Sequence, residues 1–468
     1  MRLKYNHTWV LLTQLLSACH ISKDVTTPIS SIPSTYRNAT GGDTQTIASV
    51  TWKQFFPDAQ LQDLIDTALA NNYDMQLAVK NIEIAAQSLK QAKMSLVPAV
   101  TMNVGASSTI PSKNSLNGSL TNQFLGTQHI EDFNANIGLS WEADFWGKVR
   151  NRKRGALSEY LQSNEARKAI QTSIVSLVAQ GYYNLLMLDE QLDIARKNAA
   201  LTDSTVRILQ LQETAGQVTA LATQQAIAQK LTAAQLVPEL ERAMQVQENT
   251  LSVLTGRLPH DIARSKQQEK LQSISFDTGV PAQLLQNRPD VRQAELALTV
   301  ANSRVGLAKA DFYPSLVITA TGGVNSFKAT NWFNIPASLF GVVAGSLAQP
   351  LLQRRSIRTR YEIALLEREK TAITFRQSIL QSVSEVSSAL VRLEKLDEEY
   401  DIATEKVEVS KKATRNAQLL FQNGMANYLE VINAQSNLLQ SELVLANLKT
   451  AKLSAAADLY RSVGGGWN

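Results

Sequence analysis

The sequence predicts a mainly α-helical protein that also contains four β-strands and is built from two copies of one unit. Three observations predict this fold class. Stretches of the two halves repeat one another without gaps, long segments contain neither proline nor glycine, and four short segments alternate apolar with polar residues. Together these patterns predict long helical hairpins joined to a small sheet.

The start of the chain has the layout of a secretory signal. Arg2 and Lys4 precede the apolar run "WVLLTQLL", which is followed by the small pair Ser17 and Ala18. This order of a basic, an apolar and a small-residue region is typical of an exported protein. We therefore expect residues 1–18 to be a signal peptide.

Cys19, the only cysteine in 468 residues, directly follows the small pair. The sequence "LSAC" resembles the bacterial lipobox, in which the signal is cut before the cysteine and acyl chains are attached to it. The resemblance implies an N-acyl and an S-diacylglycerol group on Cys19, and no other cofactor is expected. Several chains anchor a protein far more firmly than one. In such lipoproteins an Asp beside the cysteine retains the protein in the inner membrane, so His20 implies the outer membrane.

Composition excludes two other classes of protein. The chain has 46 basic and 41 acidic residues, a net charge of +5, and removal of residues 1–18 lowers this to +3. Such a balance gives no support for nucleic-acid binding, which needs a concentrated basic face. After Leu16 no apolar run approaches the roughly 18 residues that a spanning helix needs, so a helical membrane protein is excluded. A lipid-anchored soluble protein and a β-barrel both remain open at this point.

Two halves of the chain share their landmarks. Residues 71–98 match residues 287–314 without a gap, and both stretches run from an asparagine to a proline. Two glycine pairs share a spacing of 40 residues, Gly216 with Gly256 and Gly424 with Gly464. We therefore predict a lipidated N-terminal extended segment at 19–59, a first repeat at 60–260, a linker at 261–280 and a second repeat at 281–468.

Each repeat is predicted to contain a long helical hairpin. The 73 residues between Pro350 and Gly424 lack proline and glycine, and a continuous helix of that length would span on the order of 110 Å. Apolar residues in its middle recur at three- and four-residue steps, a spacing close to that of a coiled coil. Gly424 and Gly216 are the predicted hairpin tips. In the first repeat Gly155, Gly181 and Pro238 are expected to make the arms less regular.

Four segments are predicted to be strands. They are "VTMNVGA" (100–106), "FNANIGLSW" (133–141), "SLVITATGGV" (315–324) and "SLFGVVAGSL" (338–347). The second alternates strictly, with apolar residues on one face and polar residues on the other. Strands of about 9–11 residues have the length that crosses a bilayer when tilted. The alternative is an ordinary sheet that packs on a soluble core.

If the strands span a membrane, one chain is not enough. Membrane barrels need about 8 strands or more, and unpaired strand edges in lipid cost several kcal/mol for each backbone group. Several chains would then have to share one barrel.

Four motifs resemble a known family. "WEADFWGKVR" (141–150), "LLQNRPDVRQAE" (284–295), "ADFYPSL" (310–316) and "FQNGMANYLEVINAQSNLL" (421–439) are similar to sequences of the TolC-like outer-membrane factor lipoproteins that serve RND-type efflux systems. The resemblance covers essentially all of the mature chain. It implies a homotrimer in which four strands per chain close a twelve-stranded barrel, continued by a helical barrel through the periplasm.

The resemblance also implies function and partners. Members of the family are passive ducts that are opened by a periplasmic adaptor and powered by an inner-membrane RND pump. By matching motifs, Gly216 and Gly424 would face the adaptor, and Glu430 and Asn433 would form the periplasmic constriction. Family members often carry aspartates at the two constriction positions, so Asn433 departs from the pattern of two acidic rings.

Two other functions stay open from the sequence. Related trimers serve protein secretion, and a coiled-coil lipoprotein without a channel would leave the alternating strands unexplained. The chain holds no P-loop, no metal-ligand cluster and no nucleophile beside a base, and its four histidines are scattered. We therefore expect no enzymatic activity and no bound metal. The substrates exported, the pump and the adaptor are not readable from these residues.

Overall fold

Two long helical hairpins and one four-stranded sheet dominate the computed structural model, which describes residues 35–37, 46–265 and 281–467. Cys19, the predicted signal peptide and residues 266–280 of the predicted linker lie outside the described residues. The helices are α1 (Trp52–Phe55), α2 (Ala59–Asn71), α3 (Tyr73–Met94), α4 (Leu116–Leu120), α5 (Lys148–Thr214), α6 (Ala220–Leu254), α7 (Leu284–Asn287), α8 (Pro289–Ala310), α9 (Ser356–Gln422) and α10 (Tyr428–Ser462). The strands are β1 (Ala99–Thr109), β2 (Ile130–Ala143), β3 (Ser315–Ser326) and β4 (Leu339–Ala348).

Corresponding helices of the two repeats have equal lengths. α3 and α8 each have 22 residues, α5 and α9 each have 67, and α6 and α10 each have 35. The long helices are thus continuous. Two apolar residues of the three- and four-residue repeat in α9, Val386 and Val407, are buried. The duplication predicted from sequence spacing is confirmed.

The residues expected to make the first hairpin less regular do not break its helices. Gly155 and Gly181 lie inside the unbroken α5, and Pro238 lies inside α6. A Cβ atom at Gly181 would come within 2.7 Å of the Leu251 Cδ2 atom, and one at Gly155 within 3.3 Å of the Ser303 Cβ atom. These glycines allow neighbouring helices to approach closely, and the packing outweighs their low helix propensity.

The described chain divides into two compact units, and each unit contains parts of both repeats. One unit contains Glu83–Leu161 and Leu296–Ile373 and includes the sheet. The other contains the described parts of Pro28–Ile82, Gln162–Glu295 and Thr374–Asn468, which include both hairpin turns. In the part of the chain that the structure describes, no helix is long and apolar enough to cross a membrane.

The sheet is a single antiparallel meander with the strand order β1-β2-β3-β4. Ala99 pairs with Ser140, Ala143 with Leu316, and Ser315 with Ala348. The four strand ends that lead to helices therefore lie at the same end of the sheet, which is not one of its edge strands.

The compact unit that contains both hairpin turns has an aromatic core, and the N-terminal segment contributes to it. Phe55 stacks on Tyr460 with ring centroids 4.2 Å apart, and the Tyr460 hydroxyl donates a hydrogen bond to the Val50 carbonyl (2.6 Å). The buried Tyr182 hydroxyl donates to Asp58 Oδ2 (2.7 Å). Burial raises the pKa of the Tyr460 hydroxyl, so this group stays protonated and can act as a donor.

Equivalent contacts, called joints below, connect the start of α3 to the end of α6 and the start of α8 to the end of α10. In the first repeat the Asn72 side chain donates to the Leu254 carbonyl (2.9 Å). In the second, Arg288 donates to the Ser462 carbonyl (3.0 Å) and forms ion pairs with Asp290 (2.6 Å) and Glu385 (2.9 Å). Burial favours the neutral Asp290 carboxyl, but the hydrogen bond from Arg288, the charge of Arg288 and backbone hydrogen bonds together lower its pKa. The arginine of the "RPDV" motif therefore has a structural role, because it connects the start of α8 to α9 and to the end of α10.

Two glycines complete these joints. Gly256 and Gly464 have φ values of +67° and +96°. A Cβ atom on Gly256 would lie 2.4 Å from the Asn71 carbonyl oxygen, and one on Gly464 would lie 2.5 Å from the Asn287 carbonyl oxygen. Both positions therefore need glycine for its backbone conformation and for space.

We predict that Gly464→Ala destabilises the protein much more than Gly424→Ala. Both residues have positive φ, which costs a residue with a Cβ about 1–2 kcal/mol, but nothing lies within 4 Å of a Cβ atom at Gly424. The backbone overlap at Gly464 adds about 1–3 kcal/mol. Denaturant unfolding of both variants, followed by far-ultraviolet circular dichroism, measures the difference. Equal losses of unfolding free energy would contradict the predicted overlap.

Candidate functional site

The sheet presents one apolar face. Paired residues of neighbouring strands point to the same side of a sheet, and the register pairs Met102 with Ile137, Leu139 with Ala320, and Ala320 with Val343. Met102 is 73% exposed, Ile137 57% and Val343 80%. Met102, Ile137 and Val343 are thus uncovered within one chain, whereas Phe133 on the same face packs against the ring of Trp332.

On β1, β2 and β3 the opposite face carries amide and hydroxyl side chains, whereas β4 adds the apolar Val342, which pairs with Thr321. Asn103 donates to Asn136 (3.4 Å), Asn136 donates to Asn134 (3.4 Å), and the Asn325 amide donates to Asp132 Oδ1 (2.7 Å). These bonds link three neighbouring strands on one side. The sheet is therefore a two-sided surface, with one face suited to an apolar medium and the other to water.

The outer strands β1 and β4 each have one neighbour within the chain. Their outer backbone N–H and C=O groups are left to pair with water or with another chain. An exposed apolar face and two open edges occur on the same sheet. This combination is typical of a surface that is completed by assembly.

The predicted tips, Gly216 and Gly424, lie in the turns between α5 and α6 and between α9 and α10. Their φ values are +71° and +73°. After each glycine, the next N–H reaches back five residues, from Gln217 to the Gln212 carbonyl (2.8 Å) and from Met425 to the Leu420 carbonyl (2.8 Å). Both turns are Schellman motifs. This geometry accounts for the glycines without any partner.

Glu430 and Asn433 are brought together on the first turns of α10. Asn427 caps this helix, and its side-chain oxygen accepts a hydrogen bond from the Glu430 N–H (3.2 Å). Residues three apart lie on the same side of a helix, and both side chains are exposed. Val431 and Gln435, which point the other way, are each 1% exposed. Within one chain, Glu430 and Asn433 therefore share an outward polar face just beyond the tip Gly424.

The two hairpins pack together near these turns. Buried side chains from both hairpins form one apolar cluster: Val206, Leu209, Ala226, Phe421 and Val431. The Tyr428 hydroxyl donates to Gln225 Oε1 (2.6 Å), and the buried Gln435 amide donates to the Thr205 hydroxyl (3.0 Å). Sequence reasoning missed both contacts. The available signal was Gln435 itself, a polar residue in the apolar stripe that Val431 and Leu439 define.

A carboxylate at Glu430 also has a local structural role. It lies in the first turn of α10, where negative charge interacts favourably with the partial positive charge of the helix terminus. Among the described residues, no hydrogen bond or ion pair engages its side chain. Elsewhere in the described ranges, no group of three His, Cys, Asp or Glu side chains is placed to hold a metal ion.

The chain is similar in sequence to known efflux proteins. The family described as "Outer membrane efflux protein" matches residues 64–257 and 280–465. The cation efflux system protein CusC of Escherichia coli O6:H1 is 26% identical over 458 residues, which cover 97% of this chain and 96% of CusC. The toluene efflux pump outer membrane protein TtgC of Pseudomonas putida is 26% identical over 463 residues, which cover 97% of this chain and 94% of TtgC.

Solved structures agree with the sequence matches. The CmeC outer membrane channel of Campylobacter jejuni superimposes with a TM-score of 0.88 at 25% identity, covering 96% of this chain and 95% of CmeC. The open state of the MtrE outer membrane channel of Neisseria gonorrhoeae gives a TM-score of 0.85 at 25% identity, covering 96% of this chain and 99% of MtrE. The similarity therefore includes the sheet and both hairpins.

Proposed function

Because this chain belongs to the outer membrane efflux protein family, we propose that it is the passive outer-membrane duct of a tripartite pump for small molecules. The observation that carries the proposal is the two-sided sheet. Its apolar face suits lipid and its polar face suits a water-filled passage, and the four strand ends that lead to helices lie at one end of the sheet. Matches to efflux proteins favour export of small molecules over protein secretion.

The duct is a homotrimer. Four strands cannot close a barrel, and open strand edges are not tolerated in lipid. If the edge strand β4 of one chain pairs with β1 of the next, three chains supply twelve strands and leave no edge. The uncovered side chains of the apolar face then contact lipid, and the asparagine network lines the lumen.

The pump contains two further proteins. A periplasmic adaptor contacts the hairpin tips at Gly216 and Gly424, and an inner-membrane RND transporter supplies the energy. The support is the exposed position of both turns, where nothing lies within 4 Å of a Cβ atom built on either glycine, together with the family membership. The named relatives export different cargo, cations for CusC and toluene for TtgC, so the cargo class here is kept broad.

Glu430 and Asn433 narrow the periplasmic entrance of this duct. In a trimer their outward polar face would be repeated three times around the axis. Three carboxylates that converge on an axis attract cations and repel anions, an effect that reaches roughly 8 Å at physiological salt. Asn433 adds hydrogen-bonding capacity without charge.

Cys19 carries the lipid anchor. The motif "LSAC" after a basic and apolar start supports this assignment. The N-acyl and S-diacylglycerol chains would hold the protein in the outer membrane beside its barrel.

We predict that Ile137→Asp impairs membrane insertion and trimer formation, whereas Thr321→Asp does not. Ile137 is on the apolar face of β2, where a carboxylate costs about 1–2 kcal/mol per chain in lipid. Thr321 is on the polar face of β3, because it pairs with Gly138 next to Ile137. Mass measurement in detergent and recovery in outer-membrane fractions test the pair. A wild type that is a stable folded monomer would disprove the trimer.

We predict that a tagged fatty acid labels the wild type and leaves Cys19→Ser unlabelled. Ser17→Ala, which keeps a small residue before the cysteine, should label normally and controls for damage to the signal. The barrel also holds the protein in lipid, so exported Cys19→Ser should retain some efflux. Equal labelling of wild type and Cys19→Ser would refute lipidation at this position.

We predict that Glu430→Gln lowers cation selectivity and that Glu430→Ala raises single-channel conductance and admits large antibiotics into cells. Removing the charge weakens the axial field, and removing the side chain widens the ring. Glu405→Gln is the matched control, because Glu405 is exposed and lies about 28 Å along α9 from the tip at 1.5 Å per residue. Unchanged conductance and selectivity in both Glu430 variants would make Glu430 an ordinary surface residue.

A further inference from the structure

Positive charge is concentrated in two segments that begin the long helices. Residues 148–154 ("KVRNRKR") contain five basic residues and residues 354–360 ("RRSIRTR") contain four, and neither segment contains an acidic residue. We call these two segments the basic collar. The whole chain has a net charge of +5, so without these nine residues its net charge would be −4. The collar is therefore a local feature and does not reflect a generally basic protein.

The basic collar adjoins the end of the sheet at which the strands lead to helices, within the same compact unit. β2 ends at Ala143 and α5 begins at Lys148, while β4 ends at Ala348 and α9 begins at Ser356. With a rise of 1.5 Å per residue, residues 148–154 extend about 10 Å along α5 and residues 356–360 about 8 Å along α9. The charges are thus confined to a narrow zone beside the strand ends.

Internal ion pairs neutralise only part of the collar. Arg355 and Arg358 share Glu362, at 3.1 and 2.9 Å. Arg150 pairs with Asp144 (3.2 Å) and Arg360 pairs with Asp311 (3.4 Å). Three further members are exposed, and in the described structure no side-chain ion pair or hydrogen bond engages them: Arg152, Lys153 and Arg354.

Folding alone does not favour this arrangement. Basic residues at a helix N-terminus oppose the helix dipole, and neither α5 nor α9 has an acidic residue in its first turn. Asp144 caps α5 by accepting from the Val149 N–H (2.9 Å), but α9 has no such carboxylate. Immediately before α9, Arg354 and Arg355 have φ values of +48° and +65°, a conformation that costs energy for residues other than glycine. An external anion would offset these costs.

Apolar side chains lie next to the charges. Leu351 and Leu352, which precede Arg354, are 87% and 97% exposed. Phe145 and Phe312 are also exposed, beside the ends of β2 and β3. A border of aromatic and aliphatic residues followed by Lys and Arg matches the boundary between acyl chains and headgroups. A soluble acidic protein would not need the uncovered leucines.

We propose that the basic collar binds the phosphate of anionic phospholipids in the leaflet that faces the periplasm. The inference rests on the proposed function, because the strands must span the membrane for the collar to reach this leaflet. Arg152, Lys153 and Arg354 supply charge that no internal carboxylate balances, and Leu351 and Leu352 contact the acyl region. In a trimer, six such segments would surround the barrel and fix its depth in the bilayer.

The test compares two triple variants of the full-length protein in neutral detergent. The collar variant carries Arg152→Gln, Lys153→Gln and Arg354→Gln. The control carries Lys406→Gln, Lys412→Gln and Arg415→Gln, which remove the same charge from exposed positions on α9. Native mass spectrometry measures the binding of phosphatidylglycerol and of phosphatidylethanolamine to each protein.

The wild type and the control should prefer phosphatidylglycerol, and the collar variant should lose affinity for it by about fivefold for each charge removed. Equal binding of the two lipids by the wild type, or equal losses in both triple variants, would overturn the proposal. Displacement of phosphatidylglycerol by inorganic phosphate, beyond that by chloride at the same ionic strength, would reassign the collar as a free-phosphate site and also overturn it.

Conductance in bilayers of neutral phosphatidylcholine separates this inference from the proposed duct. The collar variant should conduct like the wild type there, because no anionic headgroup is present. A wild type that forms no channels would contradict the duct, and the detergent titration would still judge lipid binding by the collar.

Discussion

The backbone hydrogen-bonding groups on the outer edges of β1 and β4 impose the strongest constraint on this protein. Helices satisfy their backbone groups internally, but a four-stranded sheet leaves two open edges. Water can satisfy those edges and lipid cannot. The sheet also exposes apolar residues such as Met102 and Val343, which favour lipid over water. Both demands are met when edges of neighbouring chains pair, and the barrel then depends on assembly.

The same constraint explains why the two repeats are not two domains. Each repeat supplies two strands, and β2 of the first pairs with β3 of the second. Each hairpin likewise packs its turn region against the other through the cluster that contains Leu209 and Val431. The compact units therefore cut across the repeats. Duplication produced elements of equal length, and packing between the copies buries the apolar surface that a single copy would expose.

Local patterns predicted the elements, and distant contacts decided what the patterns could not. Strict alternation in "FNANIGLSW" predicted a strand and its faces, and the glycine spacing predicted both hairpin turns. The continuity of α5 through Gly181 could not be predicted, because Gly181 packs closely against Leu251, which lies 70 residues away in sequence. Arg288 was recognised as part of a motif, but its structural role depends on Glu385 and Ser462. Among the candidate site residues, Glu430 and Asn433 share a face because of helical geometry, whereas the bond between Tyr428 and Gln225 joins two hairpins and left no local signal.

The two copies share their backbone at the turns but differ there in chemistry. Gly216 and Gly424 adopt the same backbone conformation, and a constant offset of 208 residues relates α6 to α10. At the position equivalent to Glu430 the first repeat has Ala222, which is 1% exposed. A ring built from three chains would therefore have six similar helical turns and only three carboxylates. At this position the two repeats share a helical geometry, and only the second repeat has a carboxylate. Under the proposed function, one altered surface on a duplicated scaffold would give the entrance its charge without changing the length of the helical hairpins.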